Sequence, residues 1–446
     1  MAPLSPRRSR IVVPNAATFE TVLLVAGFAV LFVLLPHELK GDDFARFTDI
    51  ERLIHHGELS DGRFSLVMPL VSAPLLLLGE IVRTPEWWAA HFNLILVAIA
   101  VLVVFRLLRG RIDGGVMRKT VLVLLFASFL TNRLRDYNAE ILTATLVTLG
   151  LVVITTGRSK LIGWAAIVVG VVNTPAALIG ALLLAIAEAL RTRRLRHLAV
   201  PVVAALLIML EAWIRRGGPL TTGYENDHGA TTILPYSGKP GFSYPLLLGL
   251  LAILFSFGRG LVFFTPGLVL WLTSATRRLL KEYRYLLGLM MLFVCGLVLV
   301  YAKWWAWYGG LSWGPRFFVF AAVPASILIA VRIERASGAG FGNALTLLVL
   351  TLSAWVGVSG GIADLSSLDF CVRDKAALES LCWYTPEYSS LWHPLVQFPS
   401  LTWKTAALAG YCAVVFAYLA APLVTGLTAS VAAEPRVREW ATGWRL

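Results

Sequence analysis

Residues 18–46 read TFETVLLVAGFAVLFVLLP-HELK-GDDFAR, from Thr18 to Arg46. The first nineteen are apolar apart from Thr18, Glu20 and Thr21. A helix of that length crosses a bilayer core of about 30 Å. Arg7, Arg8 and Arg10 precede it, which argues for a cytoplasmic N-terminus. The stretch before residue 18 has no small-residue cleavage site after a short apolar core, so the span is expected to stay as an anchor. Asp42 and Asp43 therefore emerge on the far side, within reach of lipid headgroups.

The same hydropathy recurs along the chain. Its 446 residues are 58% hydrophobic, with a mean hydropathy of +0.75. Repeated runs of about 20 apolar residues describe an all-α, polytopic integral membrane protein. The net charge of +13 sits in short clusters between these runs. That is the positive-inside bias and not a nucleic-acid surface. Arg106 to Lys119, Arg191 to Arg196 and Arg277 to Arg284 are the strongest cytoplasmic segments. Arg158 with Lys160, and Arg332 with Arg335, are weaker ones.

Threading the chain through them predicts about twelve spans with both termini inside. They fall near 18–36, 87–107, 119–132, 139–157, 161–173, 175–190, 198–214, 260–275, 285–302, 316–331, 343–360 and 405–425. Residues 66–82 and 245–257 do not fit as crossings and read as re-entrant or surface-lying helices. The polar stretches 37–65, 214–244, 303–315 and 361–403 then share the outer face. The cytoplasmic loops are too short for a catalytic domain, so chemistry belongs outside. Residues 1–335 form the expected catalytic region, and 336–446 the C-terminal helices with the outer loop 361–403.

In the first outer loop Phe44, Phe47, Ile50, Leu53 and Ile54 recur at helical spacing, with Asp43, Arg46, Asp49 and Arg52 opposite. This predicts an amphipathic helix lying on the membrane with its polar face upward. Asp42 stands at its start, where an Asp commonly caps the first turn. His55-His56 is a weaker polar signal near its end.

Residues 301–318 read YAKWWAWYGGLSWGPRFF. The aromatics suit an interfacial belt. Gly309-Gly310 and Trp313-Gly314-Pro315-Arg316 describe a tight turn aiming Arg316 back at the next span. A guanidinium there suits a lipid phosphate, which it binds in a two-pronged fork. Lys303 joins it as a cation at the same edge, and Trp307, Tyr308 and Trp313 are candidate substrate contacts. Arg259, between glycines in an apolar run, is a costly intramembrane charge and a candidate for the same phosphate. Arg133, Arg135 and Asp136 read as a structural pair at another outer edge. Glu225, Asp227 and His228 lie in a Gly- and Thr-rich outer loop suited to contacting a substrate. Of four cysteines, Cys371 and Cys382 share the stretch 361–403 and can close a short loop in an oxidising compartment. No metal-ligand spacing occurs.

These residues resemble the GT-C superfamily of polyprenyl-phosphate-sugar-dependent glycosyltransferases, whose members include protein O-mannosyltransferases, the aminoarabinose transferase of lipid A and mycobacterial arabinosyltransferases. The likeness rests on three features and covers most of residues 18–335. The first is Gly41-Asp42-Asp43 after the first span, followed by a surface helix and by Met68-Pro69-Leu70 and Ala73-Pro74-Leu75. The second is Phe257-Gly258-Arg259-Gly260-Leu261 ahead of Thr265-Pro266. The third is Trp307-Tyr308-Gly309-Gly310 with Trp313-Gly314-Pro315-Arg316-Phe317.

The resemblance implies a GT-C fold in a bacterial inner membrane, with an inverting active site facing the periplasm. Its donor would be a polyprenyl-phosphate sugar, such as arabinofuranose or mannose, and its acceptor a glycan, lipid or protein hydroxyl. By motif order the general base falls on Asp42, with Asp43 as the alternative. Arg46, His55 and the outer-loop residues named above would contact substrate, and Arg259, Arg316 and Lys303 the donor phosphate. Members of the family sometimes use a divalent cation at the phosphate, and these residues do not decide between its presence and absence. The chain departs from many members in lacking a large C-terminal soluble domain.

Two other classes stay open from the residues. A transporter or flippase of a lipid-linked sugar would bury its charges at the midplane and show repeat symmetry, which is not seen. An O-antigen-type ligase or polymerase would use the late loop 361–403 and leave the early acidic pair unexplained.

Overall fold

The computed structural model describes residues 16–432 except 158, 226, 233, 281, 337–339, 363–367, 369 and 372–377. Arg7, Arg8, Arg10 and Arg158 lie outside the described residues. Every regular element among those described is helical. The first is α1 (Ala16–Leu34), followed by α2 (Asp42–His56), α3 (Val67–Gly79), α4 (Pro85–Leu108) and α5 (Gly114–Phe126). Next come α6 (Ala139–Thr156), α7 (Lys160–Asn173), α8 (Leu178–Thr192), α9 (Ala199–Arg216) and α10 (Leu246–Phe255). The chain closes with α11 (Arg284–Tyr301), α12 (Ala322–Glu334), α13 (Gly340–Ile362), α14 (Glu379–Tyr384) and α15 (Trp403–Ala432), joined by short helical turns. Among the described residues nine helices are long and apolar enough to cross a membrane. The chain is thus an all-helical, multi-pass membrane protein.

Three expected spans are not membrane-crossing helices, the one at 161–173 being the 14-residue α7. Residues 260–275 break into Leu261–Phe264, a 3-10 turn over Pro266–Leu272, and the start of Ser274–Leu279. Pro266 has no N–H to give, and the Thr265 hydroxyl donates to the Leu261 carbonyl at 2.6 Å, so the ladder stops there. The span expected at 119–132 is the 13-residue α5, about 20 Å long, which ends at Phe126. Beyond it the Ser128 and Thr131 hydroxyls take over the backbone bonding, Thr131 donating to the Leu125 carbonyl at 2.7 Å. The 13 residues of α3 and the 10 of α10 are likewise too short to cross.

The surface helix also sits differently. Gly41 and Gly57, both at positive φ, bound α2 and let the chain turn sharply at each end. Its residues Phe47 and Ile50 are buried with Met68 and Leu76 of α3 and Phe92 of α4, so this part of α2 rests on protein, while Phe44 is exposed. Its opposite face is solvated only in part, since Asp43 and Arg46 are buried while Asp49 is half-buried and Arg52 exposed.

At the other end of the bundle an ionic cluster ties four helices. Glu20 of α1 accepts from Arg118 of α5 at 2.6 Å, from Lys119, and from the Tyr418 hydroxyl of α15 at 2.8 Å. Lys119 also meets Glu334 of α12 at 2.6 Å. A buried carboxylate is tolerated there because every partner is charged or hydrogen-bonded to it.

Candidate active site

The four polar stretches meet at one end of the bundle. Arg63 bonds Asp227 at 2.8 Å, joining the first to the second. The Tyr244 amide donates to the Lys303 carbonyl, joining the second to the third. Tyr308 stacks on Trp383 at 4.6 Å, joining the third to the fourth.

Asp42 lies in the first turn of α2 and caps nothing; the residue before it, Gly41, is the N-cap. Its carboxylate instead meets Arg316 at 2.9 Å and Arg63 at 3.8 Å. Burial alone would raise its pKa, but the charges of Arg316, Arg46 and Arg63 together hold it below the ordinary carboxylate value. Asp43, one residue on, goes the other way. Burial first, and then the nearby Asp136 charge, push it up to about 7 against the pull of Arg46, Arg133 and Arg316. Adjacent carboxylates are therefore driven apart in acidity, as expected where one is to stay ionised.

The surrounding cations are each held in place. Arg46 pairs with Asp43 at 3.3 Å and lies 4.2 Å over the Phe64 ring, so it is bound inward and not offered to a substrate. Arg63 stacks 5.1 Å over Tyr224 while bridging Asp42 and Asp227. Arg133 bonds Asp136 at 3.1 Å, which sets the second charge facing Asp43. Arg316 packs along Gly309, where φ is +78° and an added Cβ would lie 2.9 Å from the Arg316 Cγ. Only glycine fits both the left-handed backbone and that approach. The Arg316 Nε is buried with no hydrogen-bond partner among the described residues.

Arg259 is buried and spends its donors on backbone: Nε on the Tyr308 carbonyl at 2.9 Å, and its two amino nitrogens on those of Gly310 at 3.1 Å and Gly258 at 3.2 Å. Trp383 covers its face at 4.5 Å. It holds the Gly309-Gly310 turn from within and does not meet the carboxylate pair. No contact brings the Lys303 side chain to that pair. His55 faces Glu80 at 3.5 Å near the far end of α2, away from Asp42. Glu225 folds back on Thr222, and His228 on the Gly229 carbonyl; both are exposed. Trp313 is a core residue, its Nε1 donating to the Ser390 carbonyl at 3.2 Å and its ring set against Phe264. Cys371 and Cys382 are joined in a disulfide beside Trp383.

Of the predicted residues, the structure unites Asp42, Asp43, Arg46, Asp227 and Arg316. It adds Arg63 and Tyr224, which no motif singled out, and Arg133 with Asp136 in an electrostatic role. Among the described residues no three His, Cys, Asp or Glu gather as a metal-holding group.

No family profile matches the chain, and no curated protein is similar to it. Solved structures of similar chain trace exist. ArnT from Cupriavidus metallidurans bound to undecaprenyl phosphate has 16% identity over 93% of this chain and 78% of that one, with a TM-score of 0.49. Its apo state gives 19%, 92%, 78% and 0.49. The arabinosyltransferase EmbB from Mycobacterium smegmatis gives 17% over 95% of this chain but 42% of that one, with a TM-score of 0.47.

Proposed function

We propose that the chain is a GT-C type glycosyltransferase of a bacterial inner membrane. It moves a sugar from a polyprenyl-phosphate donor to an acceptor hydroxyl on the periplasmic face, with inversion. The observation that carries the reading is the ionised Asp42 held between Arg316 and Arg63 beside the buried Asp43. One base and one phosphate-binding cation suffice for this reaction, since a phosphate leaves without a proton.

In this reading the donor phosphate takes Arg316, and with it Arg63, away from Asp42. Losing its cations raises the basicity of Asp42 at the moment the donor is bound. The acceptor oxygen bonds to the anomeric carbon as its proton passes to Asp42, and the anomeric C–O bond breaks with its electron pair leaving on phosphate. Arg316 offsets the charge growing on that phosphate. Arg259 acts through the Gly309-Gly310 turn, keeping Arg316 aimed.

The test is transfer by purified protein from a panel of radiolabelled polyprenyl-phosphate sugars, arabinofuranose and mannose among them, for wild type and Asp42→Asn. Turnover of one donor by wild type, reduced ~10²–10⁴-fold in the variant, supports the reading. A folded protein that turns over no donor moves it to the ligase or transporter class.

A further inference from the structure

Tyr308 precedes the glycine that packs on Arg316, and it also lines a recess of about 450 Å³, counted with its open mouth. Its walls are rings. Tyr244 meets Tyr236 edge-on at 4.7 Å and Trp307 at 6.1 Å, and Tyr308 lies nearly parallel to Trp383. Polar groups sit among them. The Tyr244 and Tyr384 hydroxyls share a hydrogen bond of 2.8 Å, and the Glu379 carboxylate meets the Tyr308 hydroxyl. Trp305 also lines the recess, and its indole N–H is buried with no partner among the described residues.

Flat ring faces take the C–H faces of a sugar, and a carboxylate with hydroxyls at the ring edges takes its hydroxyl groups. The lining fits other ligands poorly. A lipid tail needs aliphatic walls, and Leu234 is the only long aliphatic side chain among the described lining residues. A peptide bound by strand addition needs a sheet edge, and the described residues form no sheet. The recess draws on the stretches 229–244, 305–308 and 379–384, and Tyr308 links it to the Gly309 turn that packs on Arg316.

We propose that this recess is the acceptor subsite and that its ligand is a carbohydrate, the terminal sugar of a glycan, packed on Trp305 with Glu379 accepting from its hydroxyls. The proposal rests on the glycosyltransferase reading and narrows its acceptor from glycan, lipid or protein to glycan.

Binding measured without donor separates the two claims. Full-length protein in lipid nanodiscs is titrated calorimetrically with methyl glycosides of di- and trisaccharides of arabinofuranose, mannose, glucose and galactose. The expected result is binding of at least one by wild type, weakened roughly ten-fold by Glu379→Gln and by Trp305→Leu. Tyr236→Phe, which removes one oxygen and keeps the ring, is expected to weaken it about five-fold with an unchanged melting temperature. A protein that transfers sugar but binds no member of the panel, or whose variants bind as wild type does, overturns the subsite. A protein that binds a glycoside yet turns over no donor keeps the subsite and loses the transfer reading.

Discussion

Arg316 meets Asp42 at 2.9 Å, so the cation expected at the donor phosphate is already charge-paired with the residue expected to act as base. Donor binding and base activation are then one exchange of partners. Arg316→Lys keeps the charge but loses the planar fork. It should raise the donor KM about ten-fold, while Arg316→Ala should lower kcat/KM at least ~100-fold. Steady-state transfer kinetics with varied donor would measure both. Equal kinetics for Lys and Arg would remove the two-pronged phosphate contact.

Asp43 supplies a pH dependence. Burial raises its pKa from about 3.9 to about 7, so its contribution to stability is complete below the unfolded value and is lost as pH rises through about 7. The melting temperature of wild type should fall between about pH 4 and pH 7 and level off above, and that fall should flatten in Asp43→Asn. The same ionisation places a second negative charge beside Asp42. Transfer should therefore rise through about pH 7 in wild type and lose that inflection in Asp43→Asn, with activity retained. If Asp43→Asn abolishes transfer, the base is Asp43.

Gly309→Ala tests the turn that aims Arg316. A Cβ there adds left-handed strain of roughly 1–2 kcal/mol and crowds the Arg316 Cγ. The expected outcome is a small drop in melting temperature with a disproportionate loss of kcat. A variant that melts lower but transfers normally would detach the turn from the chemistry.

The Cys371–Cys382 bridge closes a loop of sequence separation 11, for which chain entropy gives about 3 kcal/mol. It adjoins Trp383, which stacks on Tyr308 and covers Arg259. Reductant should lower the melting temperature of wild type and leave Cys371→Ser/Cys382→Ser, already lowered, unmoved. A wild type that melts alike with and without reductant would show that the bridge adds no stability.

Hydropathy made most of the spans legible, and the shared face of the four polar stretches followed from charge alone. The breaks were written locally as well, in Thr265-Pro266 and Ser128, but a run of apolar residues hides hydroxyls that steal backbone bonds. Asp42 and Arg316 stood out by position. Arg63 did not, because an isolated cation in a polar loop gains meaning only when Tyr224 and Asp227 arrive from far along the chain. Arg259 was conspicuous as a buried charge, yet two of the three carbonyls it serves belong to a turn some fifty residues later, which the sequence order does not disclose. Trp305 and Trp313 look alike in a motif, and only packing separates the one buried against Phe264 from the half-buried one that lines the recess.

The cluster on Glu20 bears on how the molecule comes into being. A ribosome delivers α1 long before α15, yet the Glu20 carboxylate has the Tyr418 hydroxyl among its partners. Through most of synthesis the opening helix carries an unfinished charge in the membrane, matched only in part once Arg118 and Lys119 appear. The closing helix is therefore the clasp of the bundle, and a chain shortened at its end would be faulty at its beginning.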